Sequence, residues 1–123
     1  MRLQTAVIAL IVGAATTSVA MADCRTIRFN FHVSQNDSIS TTGVSNGGSA
    51  CVHRFRSWST SQLTSGAIAS PPANGSLSSI GTLQFRYKPK SGFKGVDKYA
   101  LRICGTESAG SGCSTISYSI TVE

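Results

Sequence analysis

Two alternating segments separated by a turn constrain the fold of this chain more than any other feature. Apolar and polar residues alternate over residues 83–87 and again over residues 98–103, which is typical of half-buried β-strands. The apolar positions are Leu83, Phe85, Tyr87, Tyr99, Leu101 and Ile103. Pro89 has no amide hydrogen for a strand ladder, so we expect it to end the first strand. The segment therefore predicts two strands whose apolar sides face a common core.

The turn between these strands has an unusual composition. Gly92 and Gly95 can adopt a positive φ at little energetic cost. We expect the apolar side chain of Phe93, which lies between them, to fill the space between two bends. Asp97 stands just before the second strand, where its carboxylate can accept hydrogen bonds from turn amides. We therefore expect a structured turn.

Three short motifs lie in this part of the chain: Asn74-Gly75-Ser76, Tyr87-Lys88-Pro89 and Gly92-Phe93-Lys94-Gly95-Val96-Asp97, with Tyr99 following. Together they resemble the closing half of bacterial immunoglobulin-like and cadherin-like repeats. The resemblance implies an immunoglobulin-like domain with a role in adhesion or extracellular binding. Such repeats normally occur in tandem arrays, and this chain has one copy. A long tandem array lets an adhesin extend away from the cell surface, so a single copy favours a diffusible accessory protein over such an adhesin.

The first 22 residues have the form of a secretory signal peptide. A basic start at Arg2 precedes an apolar run over residues 6–15, and small residues at Ala20 and Ala22 suit cleavage after Ala22. The apolar run is too short to cross a bilayer. We therefore expect a bacterial protein that is secreted or periplasmic, with residues 1–22 as signal peptide and residues 23–123 as one domain.

The rest of the mature chain also alternates or is rich in turn residues. Further strands are predicted over Arg25–Val33, Cys51–Trp58, Leu63–Ser70 and Ser114–Val122, with one short strand inside Ser34–Ala50. No helical periodicity follows the signal peptide. The pattern predicts an all-β chain, an antiparallel two-sheet β-sandwich of about seven strands, and the resemblance makes it immunoglobulin-like.

All four cysteines lie after the signal peptide, which indicates two disulfides in an oxidising compartment. Cys104 and Cys113 flank the loop GTESAGSG and are out of phase with the apolar faces of their strands, so we expect a cross-strand pair at the base of a hairpin. By elimination Cys24 pairs with Cys51. Three connectivities remain open from sequence alone. We expect both bridges to lie outside the core.

Positive charge is concentrated in one part of the mature chain. Removing Arg2 from 11 Lys+Arg leaves 10 against 5 Asp+Glu, a net charge of +5. If the two alternating strands are neighbours, their outward basic residues make one cationic face, which other basic positions extend. The candidate binding residues are Arg54, Arg56, Arg86, Lys88, Lys98 and Arg102.

Two interpretations of this face are open. It is either a solvated strand face or a site for an anionic partner such as acidic polysaccharide or lipid head groups, with nucleic acid disfavoured. Trp58 shares the parity of Arg54 and Arg56, and it is either an exposed platform for sugars or nucleobases or a core residue beyond a bulge. We expect a monomer whose partner is a protein or an anionic polysaccharide of the cell envelope.

The chain lacks the usual signs of catalysis. It has no Gly-x-Ser-x-Gly motif, and its five acidic residues are scattered, so we expect no enzyme and no cofactor. Asp97 has no acidic neighbour, which disfavours calcium. His32, His53 and Cys51 keep open a periplasmic copper- or zinc-binding accessory protein as an alternative. An inhibitor of an envelope enzyme is the other alternative.

Overall fold

The computed structural model describes residues 23–123 of the chain. The predicted signal peptide lies outside the described residues. The elements are β1 (Cys24–Thr26), a 3-10 turn (Val33–Gln35), β2 (Ser38–Ser45), a 3-10 turn (Asn46–Gly48), β3 (Cys51–Arg54), β4 (Ser61–Ser70), β5 (Gly75–Gly81), β6 (Gln84–Pro89), β7 (Gly95–Glu107) and β8 (Gly110–Val122). Over residues 23–123, no helix has the length and apolarity needed to cross a membrane.

The strands form two sheets. Five of them make one sheet in the order β1-β2-β8-β7-β4, and three make the other in the order β3-β6-β5. All neighbours are antiparallel except β2 and β8, which run parallel with Ser38 opposite Thr115 and Ser45 opposite Val122. The all-β class is confirmed. The expected seven strands are corrected to eight, the addition being β5 at Gly75–Gly81. The expected wholly antiparallel arrangement is corrected to a mixed larger sheet, because β2 joins the last strand through a long-range contact that local alternation does not encode.

The β7–β8 hairpin is the longest regular feature. Tyr99 lies opposite Tyr118, and pairing continues to Glu107 opposite Gly110. The predicted eight-residue loop between the two cysteines is therefore wrong, because it is too long. Both strands extend past the disulfide to a turn at residues 108–109. The predicted inward face of both strands is confirmed, since its side chains are buried.

Buried side chains of both sheets form one hydrophobic cluster. The three-stranded sheet contributes Phe85 and Tyr87, and the five-stranded sheet contributes Leu101, Ile103 and Ile116, all of them fully buried. Removing a large side chain from such a site costs about 3–5 kcal/mol for an aromatic residue truncated to alanine. Most of the stability of this small domain therefore depends on β6, β7 and β8.

Both predicted disulfides are present. Cys104 and Cys113 are direct cross-strand partners in the β7–β8 hairpin, with a Cα–Cα distance of 4.0 Å. Cys24 and Cys51 join β1 of the larger sheet to β3 of the smaller sheet. The expectation that both bridges lie outside the core is wrong for this second pair, since Cys51 is only 1% exposed and belongs to the core cluster.

Asp97 is the third residue of β7 rather than the residue before it, and none of the amides that its carboxylate binds belongs to the turn at residues 90–94, contrary to expectation. The Asp97 carboxylate accepts hydrogen bonds from the Tyr87 hydroxyl at 2.7 Å and from the amides of Ala73, Asn74 and Lys98 at 3.1–3.2 Å. Gly92 and Gly95 both have positive φ, of 81° and 137°. Residues 90–94 carry the chain from β6 in one sheet to β7 in the other.

The first predicted strand is shorter than its alternation suggests. Only Cys24–Thr26 pairs regularly, and after the Ile27 amide donates to the Thr42 carbonyl the chain leaves the sheet. The His32 amide then donates to the Asp37 carboxylate at the 3-10 turn. Residues 27–32 therefore form an irregular segment, which becomes one wall of the site described below. The predicted strand Cys51–Trp58 likewise ends at Arg54.

Candidate functional site: an arginine-lined cleft

The six basic residues expected to form one face lie in both sheets. Arg54 ends β3, Arg56 follows it, and Arg86 and Lys88 lie on β6 of the same three-stranded sheet. The remaining two, Lys98 and Arg102, lie on β7 of the five-stranded sheet, opposite Ser119 and Thr115. All six are exposed.

The single cationic face required β6 and β7 to be neighbouring strands, and they are not. The turn at residues 90–94 moves the chain between sheets, so Lys98 and Arg102 are separated from the four basic residues on the smaller sheet. Lys88 is also engaged, because its ammonium group donates to the Gly48 carbonyl at 2.8 Å. The expected face therefore divides into two groups.

Arg54 and Arg56 belong to a cleft between two segments that are distant in sequence. One wall is the irregular segment 26–31, and the other is formed by residues 52–56. The cavity measures about 370 Å³, within the range of small-molecule and oligosaccharide sites. We call it the arginine cleft because Arg28, Arg54 and Arg56 all line it.

The disulfide between Cys24 and Cys51 accounts for the proximity of the two walls. It joins the beginnings of the two segments across the sheets, with a Cα–Cα distance of 5.1 Å. Aromatic contacts hold them further along. The rings of Phe31 and Phe55 meet edge to face at 6.0 Å, and those of Phe29 and Phe31 lie 6.1 Å apart. The walls are therefore fixed covalently at one end and by packed aromatic rings at the other.

The electrostatics of the arginine cleft are one-sided. No acidic residue lines it, and none of Arg28, Arg54 and Arg56 makes a salt bridge or side-chain hydrogen bond within residues 23–123. Arg25, a short distance along the chain, shows the contrast, because its guanidinium is bound to Asp23 at 2.9 Å. Three guanidinium groups at one cavity, with their donors unused by the protein, suit a carboxylate, sulfate or phosphate ligand.

Two buried side chains lie at the base of the cleft, His53 and Tyr118. Their rings stack with centroids 4.0 Å apart, and His53 Nε2 lies within hydrogen-bonding distance of the Tyr99 hydroxyl. Burial lowers the pKa of His53 to about 4. Burial also raises the pKa of Tyr118 above its ordinary value. The base is therefore neutral at physiological pH, and the positive charge belongs to the rim.

The residues considered for a metal site do not form one. Cys51 is bonded to Cys24, His53 Nε2 is engaged with Tyr99, and His32 Nδ1 lies 3.1 Å from Glu107 Oε2. No group of three metal-binding side chains occurs in residues 23–123. The side chains of the copper or zinc alternative therefore have other partners.

Trp58 is a surface residue, as one of the two interpretations had it. It is 40% exposed and lies on the loop after β3. Its amide donates to the Ser61 carbonyl, and the Ser61 amide donates to the Trp58 carbonyl. The Trp58 ring also meets Phe31 edge to face at 5.8 Å. Trp58 is thus held in a defined position without being buried.

Arg28 is the functional candidate that the basic face omitted. It lies within the predicted strand Arg25–Val33, which is distant in sequence from the basic positions after Cys51. A signal for it was present, because a bridge between Cys24 and Cys51 brings the residues after each cysteine together. Arg28 is four positions after Cys24, and Arg54 and Arg56 are three and five positions after Cys51. The bridge therefore brings the three arginines close together.

A scan against protein-family models and a search of curated proteins returned no match for this chain. Its function is therefore argued from the geometry of the cleft.

Proposed function

We propose that this chain is an exported, non-catalytic immunoglobulin-like domain that binds an anionic polysaccharide of the bacterial envelope through the arginine cleft. The observation that carries the proposal is the set of three arginines at one cavity that have no salt-bridge partner among residues 23–123. Unpaired guanidinium groups at a shared cavity offer bidentate contacts to carboxylates. A net charge of +5 on residues 23–123 adds long-range attraction to a polyanion.

Several features support an immunoglobulin-like β-sandwich as the scaffold. Two sheets contribute to one core, Pro89 ends β6 as the turn motif implies, and the Tyr87 hydroxyl donates to the Asp97 carboxylate across the turn. Support for export comes from the form of residues 1–22 and from two disulfides, which persist in oxidising compartments. A periplasmic or secreted protein meets envelope polysaccharides directly.

The test uses purified protein and alginate oligosaccharides, in which every ring bears a carboxylate. The variant Arg28→Ser/Arg54→Ser/Arg56→Ser is compared with a matched control, Lys94→Ser/Lys98→Ser/Arg102→Ser, which loses the same charge elsewhere. We expect the cleft variant to raise the Kd at least about tenfold and the control less than about threefold, because only the first removes direct contacts. Calorimetry at two salt concentrations measures both effects.

Equal losses in the two variants would show that the polyanion senses net charge alone, which would overturn the cleft as the site. Wild-type protein that does not bind alginate or any other acidic polysaccharide at low salt would overturn the proposed function itself.

A further inference from the structure

The arginine cleft continues into a second depression around Trp58. One hollow of about 490 Å³ is lined by residues 29–32 and Trp58. Another, of about 610 Å³, is lined by Trp58, its loop and the end of the β7–β8 hairpin. We call the two together the Trp58 trough. Phe29, Asn30 and Phe31 line both the trough and the arginine cleft, so the two sites are contiguous.

The chemistry changes sharply along this path. The arginine cleft carries three cations, whereas residues 57–85 contain no charged side chain. The far side of the Trp58 trough is lined by hydroxyl and amide groups, from Ser57, Ser59, Thr60, Ser61, Gln62, Thr106 and Ser108. Such walls suit a ligand unit that has many hydroxyl groups and no charge.

An unsatisfied polar group lies in the same place. Ser61 is only 4% exposed, and its hydroxyl is the one buried side-chain polar atom within residues 23–123 that has no hydrogen-bond partner. A buried polar group without a partner is unfavourable for the folded protein. Ser61 lines the trough beside Trp58, and its hydroxyl is closed off from solvent in the unliganded protein, so a ligand hydroxyl supplies the missing partner only when the Ser61 side chain rotates towards the trough.

We infer that the Trp58 trough is a sugar subsite, and that the whole groove takes an acidic oligosaccharide in which a carboxylate-bearing ring is followed by a neutral ring. The acidic ring lies at the arginine cleft and the neutral ring stacks against Trp58. This inference rests on the proposed function and adds the composition of the ligand. A nucleic acid is less suited, because each nucleotide carries a phosphate and no lysine or arginine lines the trough.

The groove is largely formed before any ligand arrives. Trp58 is fixed by its two backbone hydrogen bonds to Ser61 and by its edge-to-face contact with Phe31. The amide of Leu63 donates to the Ser57 hydroxyl at 2.9 Å, which holds the start of the same loop. Trp58 and its loop therefore lose little conformational entropy on binding.

Trp58 is the only tryptophan of the chain, so the tryptophan emission of the protein comes from this subsite. We expect hyaluronan oligosaccharides, which alternate acidic and neutral rings, to change the emission of Trp58 saturably and to bind more tightly than alginate oligosaccharides of equal length. Trp58→Ala should weaken hyaluronan binding about tenfold, and Trp58→Phe should restore most of it. Thermal unfolding of each variant checks that it is folded.

Ser61→Ala separates a ligand contact from a structural role. It removes a hydroxyl that has no protein partner, so thermal stability should stay the same or rise. The affinity for hyaluronan should still fall about threefold, as expected for one neutral hydrogen bond. A loss of stability without any loss of affinity would contradict the assignment of Ser61.

The outcomes distinguish this inference from the proposed function. If Trp58→Ala and Trp58→Phe bind hyaluronan like wild type while the triple arginine variant does not, the sugar subsite is overturned and the arginine cleft stands. If dextran, which is neutral, binds as tightly as hyaluronan, the arginines are not involved and the proposed function is overturned. If a thymidine oligonucleotide quenches Trp58 at lower concentrations than hyaluronan does, the groove is a nucleic-acid site and the glycan inference is overturned.

Discussion

The surroundings of Asp97 and the arginine cleft differ in how their charged groups are paired. Asp97 is 2% exposed, and its carboxylate is bound by the Tyr87 hydroxyl and by three backbone amides. Arg28, Arg54 and Arg56 are exposed and have no such partner within residues 23–123. The difference indicates that the buried charge stabilises the fold, whereas the exposed charges remain available to a ligand.

The largest effect is expected from Asp97→Ala. The substitution leaves the buried Tyr87 hydroxyl and three partly buried amides without their acceptor, so the free energy of unfolding should fall by about 3–5 kcal/mol. Arg54→Ser, the matched change at the cleft, should alter it by less than about 0.5 kcal/mol, since an exposed side chain without contacts contributes little. Urea unfolding of the two variants measures both values.

A destabilisation by Arg54→Ser as large as that by Asp97→Ala would erase the distinction between the two regions. Such a result would mean that Arg54 stabilises the folded protein rather than remaining available to a ligand.

The two disulfides are expected to differ in their effects on stability and on alginate affinity. The Cys24–Cys51 bridge spans 27 positions and the Cys104–Cys113 bridge spans 9. In the chain-entropy account, replacing the first pair by alanine costs about 3.5 kcal/mol and replacing the second about 2.5 kcal/mol. The first pair also holds together the walls of the arginine cleft, so its loss should lower alginate affinity as well.

Denaturant unfolding and calorimetry on the two double variants, at temperatures where both are folded, measure these effects. The Cys104–Cys113 variant is the control, because neither of these cysteines lines the cleft. If both variants keep full affinity, the bridge does not position the cleft.

A smaller effect is expected from pH at the base of the cleft. Burial lowers the folded-state pKa of His53 from 6.5 to about 4, so the unfolded chain binds this proton first as the pH falls. The contribution of neutral His53 to stability is therefore complete above about pH 6.5 and is lost towards pH 4, by about 3 kcal/mol in total.

His53→Gln keeps a polar side chain near the Tyr99 hydroxyl and removes the titration. Unfolding measured at several pH values should show a shallower decline for this variant than for wild type between pH 6.5 and 4. Parallel curves would mean that His53 titrates normally and is not desolvated.

Much of the fold was accessible to local reasoning. Alternation assigned the inward faces of β6, β7 and β8 correctly, because a strand with one buried face must repeat every second residue. Parity and elimination also gave both disulfides. Pro89 was correctly located as the end of the first strand, because it has no amide hydrogen to donate, whereas β7 begins at Gly95, three residues before the alternation at residues 98–103.

The pairing of β2 was not accessible in the same way. Its inward positions include Thr41, Gly43 and Ser45 rather than large apolar residues. The hydroxyls of Thr41 and Ser45 donate to the backbone carbonyls of Ile27 and Ser49, so burial occurs without hydrophobicity. At Gly43 an added Cβ would lie 2.7 Å from the Arg25 carbonyl oxygen, which shows how closely β1 approaches. Such a strand resembles a polar loop in sequence.

The candidate site was predicted only in part, for a related reason. Arg54 and Arg56 were recognised from composition, but their joining with Arg28 depends on the segment 27–32 leaving the larger sheet. Alternation over residues 25–33 gives no sign of that departure. The separation of Lys98 and Arg102 from the others follows from a crossing between sheets, which sequence neighbours do not reveal.

The most direct test of the account observes the arginine side chains themselves. In ¹⁵N spectra the Nε–Hε signals of Arg25, Arg28, Arg54, Arg56, Arg86 and Arg102 can be followed during a titration with hyaluronan oligosaccharides. The account predicts saturable shifts of the Arg28, Arg54 and Arg56 signals with a common Kd, while the Arg102 signal stays in place. Shifts spread evenly over all six signals, or confined to Arg86 and Arg102, would contradict it.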